Sequence, residues 1–340
     1  MSSMNRRQML TASAASLAGL SAASQPAWTK VAQPFMPSKG PRKRVLYIND
    51  LSGDIDGLFA TVHALLSPTI ELRTIIGTGT NSPIETSARS LALGNELLGL
   101  MGLSQSVAML KGLDADFAST AISSPAIQAI IDEAMRSDTK LPLYVAVGGG
   151  LSEVAEALRA EPRIAGRMTL VWIGGSSIPG ASTKGEYNYQ IDPGSVQYVF
   201  NKTSVPIWQI SDAAYRTCMV SDTELQMYVA PCGKVGAWLY RKVSEMGEFM
   251  GRYGANTGET WTLGDNPLVL LTALNDWVPD AGRRYERTGS SEFEEVFVPL
   301  IQPDGSYVAR DSGRKMRAYH RVDTRMMMQD FYAKLSAHYG

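Results

Sequence analysis

The chain is predicted to fold as a single α/β domain, with a doubly wound and mostly parallel sheet flanked by helices. Short apolar runs rich in branched and aromatic residues alternate with helical patterns along most of the 340 residues, as parallel βαβ units require. Several runs end in glycine or in small polar residues, which is typical of the carboxyl ends of strands where α/β folds bind ligands. No repeat of 20–50 residues is visible.

The composition is that of an ordinary globular protein, with 44% hydrophobic and 19% charged residues. The formal net charge is −1 and no long basic run is present. These values argue against a nucleic-acid partner held through phosphate contacts. A small, roughly neutral ligand is therefore the expected partner.

The first 23 residues are interpreted as a twin-arginine-type signal peptide (Tat export). Arg6 and Arg7 precede a mildly apolar stretch that ends in small residues suited to cleavage. The alternative is a short membrane anchor, but the stretch is interrupted by Ser and Thr and is short for a bilayer. We therefore expect a periplasmic or secreted protein without stable membrane insertion. Residues 24–44 are predicted to form a linker, and 45–340 the folded domain.

The first predicted strand, Val45 to Ile48, runs into a turn that carries Asp50, Asp54 and Asp56. Three carboxylates so close together repel one another unless something positive lies among them, and oxygen ligands in a tight turn suit Ca²⁺ or Mg²⁺. The alternative is that Asp54 or Asp56 caps the helix predicted to begin near Leu58. The turn is thus a candidate metal or catalytic site, or a helix cap.

Strands and helices alternate through the middle of the chain. The apolar runs predict strands at 70–76, 107–110, 141–147, 168–173 and 205–210. Helices are predicted at about 84–101 and 125–136, from Leu151, and from Pro193 after a cap at Asp192. Residues 113–120 and the long polar segment before Asp192 are expected to be loops, and loops of that length are usually functional.

Polar or glycine residues follow several of these strands. Asn81 comes after the second strand, where its amide could point at a ligand. Gly148 to Gly150 follow the strand at 141–147, and they either let the backbone approach a ligand or form only a tight packing turn. Glu186 and Asn188 lie in the long loop.

The last third of the chain is predicted to be helical at 221–251, to form a hairpin from 295–301 and 307–310, and to end in a helix at 323–338. Asp265 stands at the start of an apolar helix, where the common explanation is a helix cap. The two cysteines, Cys218 and Cys232, could form a disulfide in an oxidising compartment or remain free.

Several of these segments, in this order, resemble the inosine/uridine-preferring nucleoside hydrolases, which cleave the N-glycosidic bond of ribonucleosides. The window Ile48-Asn-Asp-Leu-Ser-Gly-Asp-Ile-Asp-Gly57 is similar to the family's cluster Asp-Thr-Asp-Ile-Gly-x-Asp-x-Asp-Asp. Further similarities are found at Ser67-Pro-Thr-Ile-Glu-Leu72, Asn81, Gly148-Gly-Gly-Leu-Ser-Glu153, Glu186-Tyr-Asn188, Ile191-Asp-Pro193 and Gly264-Asp265. The resemblance covers about 42–275.

The resemblance implies a glycosidase-type hydrolase in which Ca²⁺ holds the ribose diol and an aspartate activates water. Asp50 would be the general base and a metal ligand. The other implied ligands are Asp54, Asp56, Asp265 and the carbonyl of Gly148. The residues implied to bind the sugar hydroxyls of a small riboside substrate are Asn81, Asp56, Glu186 and Asn188. Assembly as a homodimer or homotetramer is also suggested.

Two residues depart from the family pattern. Gly57 stands where the family has a second Asp that binds calcium, a metal that usually takes six or more oxygens. Gly264 stands where many members have a histidine able to protonate the leaving base, and His63 is interpreted as a packing or surface residue rather than a substitute. The alternatives are therefore a catalytically weakened relative that binds a riboside or another sugar, and a hydrolase of another glycoside.

Overall fold

The computed structural model describes residues 40–114, 116–117, 120–177, 182–255, 258–274 and 291–340. All of them belong to one compact unit, Phe35–Gly340. The predicted signal peptide and most of the predicted linker lie outside the described residues. The first strand begins at Lys43, two residues before the predicted domain boundary.

An eight-stranded sheet forms the centre of the molecule, in the spatial order β3-β2-β1-β4-β5-β6-β12-β9. The strands of the chain are β1 Lys43–Asn49, β2 Ile70–Gly77, β3 Ala108–Lys111, β4 Leu143–Gly148, β5 Met168–Ile173, β6 Ile207–Ile210, β7 Met219–Ser221, β8 Thr260–Thr262, β9 Ser291–Phe297, β10 Leu300–Ile301, β11 Tyr307–Val308 and β12 Lys315–Val322. Neighbouring strands of the large sheet are parallel except at the β12–β9 edge, which is antiparallel. The predicted doubly wound, mostly parallel sheet is confirmed.

Helices cover both faces of this sheet. They are α1 Asp56–Leu65, α2 Ser87–Met101, α3 Pro125–Met135, α4 Ser152–Ala160, α5 Tyr187–Ile191, α6 Pro193–Lys202, α7 Asp212–Tyr215, α8 Asp222–Tyr228, α9 Gly233–Arg252, α10 Pro267–Val269, which continues as a π-helical turn at Leu270–Leu274, and α11 Thr324–Tyr339. A 3-10 turn, Pro162–Gly166, follows α4.

Strand β1 shows why both faces carry helices. Its side chains alternate between two apolar clusters, because successive residues of a strand point to opposite sides. Leu46 and Ile48 are fully buried in the cluster that includes residues of α3, α4 and α6. Val45 and Tyr47 are buried in a second cluster with residues of α1 and α2. A strand that is apolar on both faces is expected at the centre of such a sheet.

The strand order reverses between β1 and β4. The chain runs outward from β1 through β2 to β3, and then returns to place β4 on the other side of β1. At such a point the connections after the two strands diverge and leave a crevice at the carboxyl edge of the sheet. Asn49 ends β1 opposite Gly148, which ends β4. The acidic turn therefore opens into this crevice.

The structure confirms one prediction in the last half of the chain and corrects others. The segment 221–251 is helical as predicted and consists of two helices, α8 and α9, whereas the predicted loop before Asp192 contains the short helix α5. Only β10 and β11 form the predicted hairpin, whereas β9 pairs with β12, a strand that was not predicted because charged residues alternate along it. Asp265 does not cap α10, since the residue before that helix is Asn266.

The cysteines and the helix lengths answer two remaining questions. Cys218 and Cys232 are both free and buried, so the disulfide alternative is not realised. Among the described residues, no helix combines the length and the apolar character needed to cross a bilayer.

Asp192 is predicted to be a major local stabiliser. Its buried carboxylate accepts hydrogen bonds from Ser195 N, Phe117 N and the Ser152 hydroxyl at 3.1, 2.8 and 2.6 Å. Replacement Asp192→Ala would leave these donors unpaired, and we expect a loss of about 2–4 kcal/mol in the free energy of unfolding, measured in urea. Asp304→Ala, in an exposed turn, is the control and should cost less than about 1 kcal/mol. Equal losses would contradict the prediction.

Candidate active site

The turn after β1 holds Asp50 at the crevice. The Asp50 amide donates to Gly148 O at 3.2 Å, and the Asp50 carbonyl accepts from Gly53 N at 2.7 Å. These bonds fix the backbone between the ends of β1 and β4. The Asp50 side chain is nearly buried, and a Cβ at Gly149 would lie 3.6 Å from its Cγ. Asp50 therefore lies at the carboxyl edge of the sheet, and its catalytic role remains a prediction.

Asp56 and Asp265 join Asp50 in one negatively charged cluster. Burial, followed by the charge of Asp265, raises the pKa of Asp50 and of Asp56 well above the usual range of aspartate. Burial also raises the pKa of Asp265 to about 6, although a hydrogen bond from Asn49 opposes the rise. Within the described ranges, none of the three forms an ion pair with a Lys or Arg. The site therefore concentrates acidic groups without a basic side chain paired to them among the described residues.

Asn49, which the sequence analysis did not select, lies at the centre of this cluster. Its Nδ2 donates to Asp265 Oδ2 at 2.6 Å and is 3.5 Å from the Tyr47 hydroxyl. Its Oδ1 is buried and has no hydrogen-bond partner among the described residues. The amide thus links the end of β1 to the segment before α10.

The residues around Asn49 do not fit the calcium site that the resemblance implies. A Cβ at Gly57 would lie 1.9 Å from Asn49 Oδ1, so position 57 offers neither a ligand nor room for one. A Cβ at Gly148 would lie 2.3 Å from Asn49 Nδ2 and 2.5 Å from Asp265 Oδ2, so the amide fills the space between these residues. In the part of the chain that the structure describes, no three Asp, Glu, His or Cys side chains converge on one point suited to a metal. The described carboxylates therefore do not converge on one point as the hard oxygen ligands of a calcium ion do.

Asp54, another implied ligand, lies away from this centre. Its side chain is exposed and accepts from Ile55 N at 2.5 Å. It lines a cleft of about 260 Å³ between the acidic turn, α2 and α9, whose other lining residues include Glu85, Lys242 and Phe249. The structure brings together Asp50, Asp56, Asp265 and Gly148, but it places Asp54 at their margin.

The two asparagines predicted to bind sugar are connected through α5: Asn81 contacts its last residue, and Asn188 belongs to it. Asn81 has a left-handed backbone (φ 61°), and its Nδ2 donates to Ile191 O at 2.6 Å and to Asp116. Asn188 Nδ2 donates to Ile173 O, at the end of β5, at 2.8 Å. These bonds connect the ends of β2 and β5 to α5 at the same edge of the sheet. Sugar binding by either residue remains a prediction.

Glu186 is held by the protein itself. It is fully buried and caps α5: Oε2 accepts from Gly175 N and Tyr189 N at 2.7 and 2.8 Å, and Oε1 accepts from Asn188 N and the Tyr215 hydroxyl at 3.1 and 2.8 Å. A carboxylate has about four acceptor positions, and all four are used here. The arrangement favours a positioning role, and the predicted sugar contact of Glu186 stays a prediction.

Tyr215, which the sequence analysis also missed, occupies the space beside Gly264. A Cβ at position 264 would lie 3.1 Å from Tyr215 Cδ2 and 3.2 Å from Asp56 Oδ2. Burial and the neighbouring Glu186 charge raise the pKa of Tyr215 well beyond its usual value, so its hydroxyl stays protonated at neutral pH. No short motif marks this tyrosine, because its position depends on contacts with residues distant in sequence.

A further acid, Glu85, faces the turn and was also missed. Its Oε2 accepts from the Thr80 and Tyr187 hydroxyls at 2.7 and 3.0 Å. Burial, followed by the Glu85 charge, raises the pKa of Tyr187 to about 12. In the sequence, only the place of Glu85 in the polar turn after the second strand could have indicated a role for it.

His63 supports the segment that carries Asp265 and is not a surface residue. The ring is fully buried, with Nε2 at 2.8 Å from Asp330 Oδ2 and Nδ1 at 3.2 Å from Asn266 Nδ2. Asp330 also pairs with Lys334 at 2.6 Å. This network ties the neighbour of Asp265 to the last helix, in agreement with the predicted packing role.

Comparison with known proteins identifies one family. The sequence model described as "Inosine-uridine preferring nucleoside hydrolase" matches residues 47–326. A protein with that name from Leishmania major is 29% identical over 186 residues, which cover 48% of this chain and 58% of the relative. One from Crithidia fasciculata is 28% identical over 194 residues, covering 50% of this chain and 59% of the relative. The matches thus span less than two thirds of these relatives' length.

Solved structures have the same fold. A purine-preferring ribonucleoside hydrolase from Gardnerella vaginalis superimposes with a TM-score of 0.67, covers 87% of this chain and 99% of its own, and is 19% identical. At that identity the likeness establishes the fold alone.

Asp265→Asn is predicted to stabilise the protein at high pH. Because the folded state raises the pKa of Asp265 to about 6, the folded protein binds this proton more tightly than the unfolded chain, and stability is lost as pH rises through about 6. The variant should therefore gain up to about 3 kcal/mol in unfolding free energy at pH 8, and the gain should vanish towards pH 4. Urea unfolding in EDTA measures both values.

Asp138→Asn is the control for this prediction. Asp138 is exposed, and its hydrogen bonds from Arg136 lower its pKa to about 2, so its replacement should give no gain at pH 8. A loss of stability at pH 8 in Asp265→Asn would contradict the prediction.

Proposed function

The chain belongs to the inosine-uridine preferring nucleoside hydrolase family, and we propose that it hydrolyses the N-glycosidic bond of ribonucleosides with Asp50 as the general base. The observation that carries the proposal is the position of Asp50 in the crevice between β1 and β4, where polar residues from the ends of β2 and β5 also meet. Ligands of α/β folds bind at this place.

Asp50 would take a proton from water. The water oxygen then forms a bond to C1′ of the ribose, the bond from C1′ to the base nitrogen breaks, and its electron pair leaves with the base, which takes up a proton. The products are ribose and the free base. Burial, followed by the charge of Asp265, raises the pKa of Asp50 above that of an exposed aspartate, so its carboxylate is a stronger base.

The negative charges near the sugar would stabilise the positive charge that develops on the ring as the bond breaks. Asp56, Asn81 and Asn188 are the proposed partners of the sugar hydroxyls. Glu186 would act through its bonds to α5 and Tyr215, which orient Asn188.

Members of the family commonly bind a metal. The resemblance implies Ca²⁺, but the residues around Asn49 do not fit that ion. The proposed steps therefore use only side chains of this chain.

We also propose that the protein acts outside the cytoplasm. The paired arginines Arg6 and Arg7 and the small residues after the apolar stretch support export by a twin-arginine route to the periplasm or the medium. A homodimer or homotetramer remains a prediction.

Asp50→Asn should abolish activity. The amide cannot accept the proton of water, so we expect release of free ribose from a panel of purine and pyrimidine ribonucleosides to fall by at least about 100-fold. Asp311→Asn, in the exposed segment before β12, is the matched control and should retain full activity. Turnover that survives in Asp50→Asn would remove Asp50 from the mechanism. A folded wild-type protein that turns over no riboside would favour the sugar-binding relative or another glycoside.

Tyr215→Phe should be most harmful with poor leaving groups. The Tyr215 hydroxyl donates its single proton to Glu186 Oε1 at 2.8 Å. We propose that it turns this hydrogen bond to the departing base during the reaction, from a ring that lies next to Gly264. The variant should lower kcat by about 10-fold or more for inosine and much less for p-nitrophenyl riboside, whose leaving group needs no donor. Equal losses for both substrates would mean that Tyr215 acts only by holding Glu186.

A further inference from the structure

The feature that carries a further inference is the amide of Asn49, which lies between three residues that the family resemblance implies as the cation's surroundings. We propose that this amide takes the place of the divalent cation, so that the site of this chain holds no metal and works without one. The proposal rests on the proposed function, because it concerns the same site. It is tested by measuring calcium binding, which does not require activity.

The Asn49 amide already occupies the space in which the cation would lie. Asn49 Nδ2 lies 2.6 Å from Asp265 Oδ2, at hydrogen-bonding distance. The same nitrogen would be 2.3 Å from a Cβ at Gly148, and Asn49 Oδ1 would be 1.9 Å from a Cβ at Gly57. The amide thus contacts all three positions at once. A cation bound by Asp265 and the Gly148 carbonyl would have to displace it.

The side chain of Asn49 also packs directly against Gly57. No side chain can be added at 57 while the Asn49 amide keeps its place, because a contact of 1.9 Å is far shorter than any real one. The Asn49 amide in this position therefore requires glycine at 57. The position where the resembled motif has Thr carries a longer side chain, and the position where it has Asp carries none.

The Asn49 amide can also perform part of the chemical role of a metal ion. A metal ion in such a site neutralises the carboxylates and fixes their orientation. The Asn49 N–H group performs the second task by donating to Asp265, and it gives Asp265 a partner that is not a charge. The amide thus takes over the orientation of Asp265, which is one of the two tasks of a divalent ion.

The test compares the wild-type protein with the double variant Asn49→Thr/Gly57→Asp, which frees the space and restores a carboxylate. Each protein is saturated with Ca²⁺, passed through a desalting column and analysed for calcium content. Its thermal unfolding is then recorded in EDTA and in Ca²⁺. We expect the wild type to carry no stoichiometric calcium and to show the same Tm in both solutions. The double variant should bind about one ion and gain Tm in Ca²⁺, because a ligand of the folded state stabilises it.

Asn49→Asp guards against a double variant that fails to fold. It keeps the size of the side chain and places a carboxylate next to Asp265, so its Tm should fall in EDTA and recover in Ca²⁺. Gly57→Asp alone should lose stability in both solutions, because Asn49 still fills the space.

Two results would overturn the proposal. One is a wild-type protein that retains about one calcium ion and melts at a higher temperature with it. The other is a folded double variant and a folded Asn49→Asp that both ignore calcium, since the Asn49 amide would then not be what excludes the ion. If no riboside is hydrolysed but wild type and variants differ in calcium binding as expected, the proposed function fails while this inference stands.

Discussion

The site depends on the hydrogen bond between the Asn49 amide and the Asp265 carboxylate. It joins two residues that are 216 positions apart in the sequence, one at the end of β1 and the other in the segment just before α10. Without a donor at that point, Asp265 would be a buried carboxylate among like charges, which is costly in a region of low polarity. The sheet supplies the place, because its order reverses next to β1, and Asn49 supplies the link that closes the site.

The remaining polar residues of the site are tied to the protein before any substrate binds. Glu186 uses both oxygens to hold α5 and Tyr215, and Asn81 and Asn188 each donate to a backbone carbonyl. Fixed groups of this kind are suited to catalysis, because they need not reorganise when charge develops during the reaction.

The sheet, most helices and the position of Asp50 at the end of the first strand could be predicted, because these follow from local patterns: apolar runs, helical spacing and acidic turns. The role of Asp50 stays a prediction. Strand β12 was missed because charged residues alternate along it, so that an apolar run is absent. Asn49 and Tyr215 were missed for another reason. Each fills the space beside a glycine, Asn49 beside Gly57 and Tyr215 beside Gly264, and such a fit depends on side-chain contacts that no sequence pattern records.

The close fit of Asn49 against Gly57 also restricts the evolutionary route to this site. From an ancestor with a side chain at 57, asparagine could not enter at 49 first, because its amide would collide with that side chain. Glycine had to appear first, leaving a temporary void, and asparagine could fill the void afterwards. Reversal must follow the same steps in the opposite order, so a side chain cannot return at 57 until a smaller residue has replaced Asn49. Position 57 is therefore locked by a steric ratchet for as long as Asn49 keeps its place.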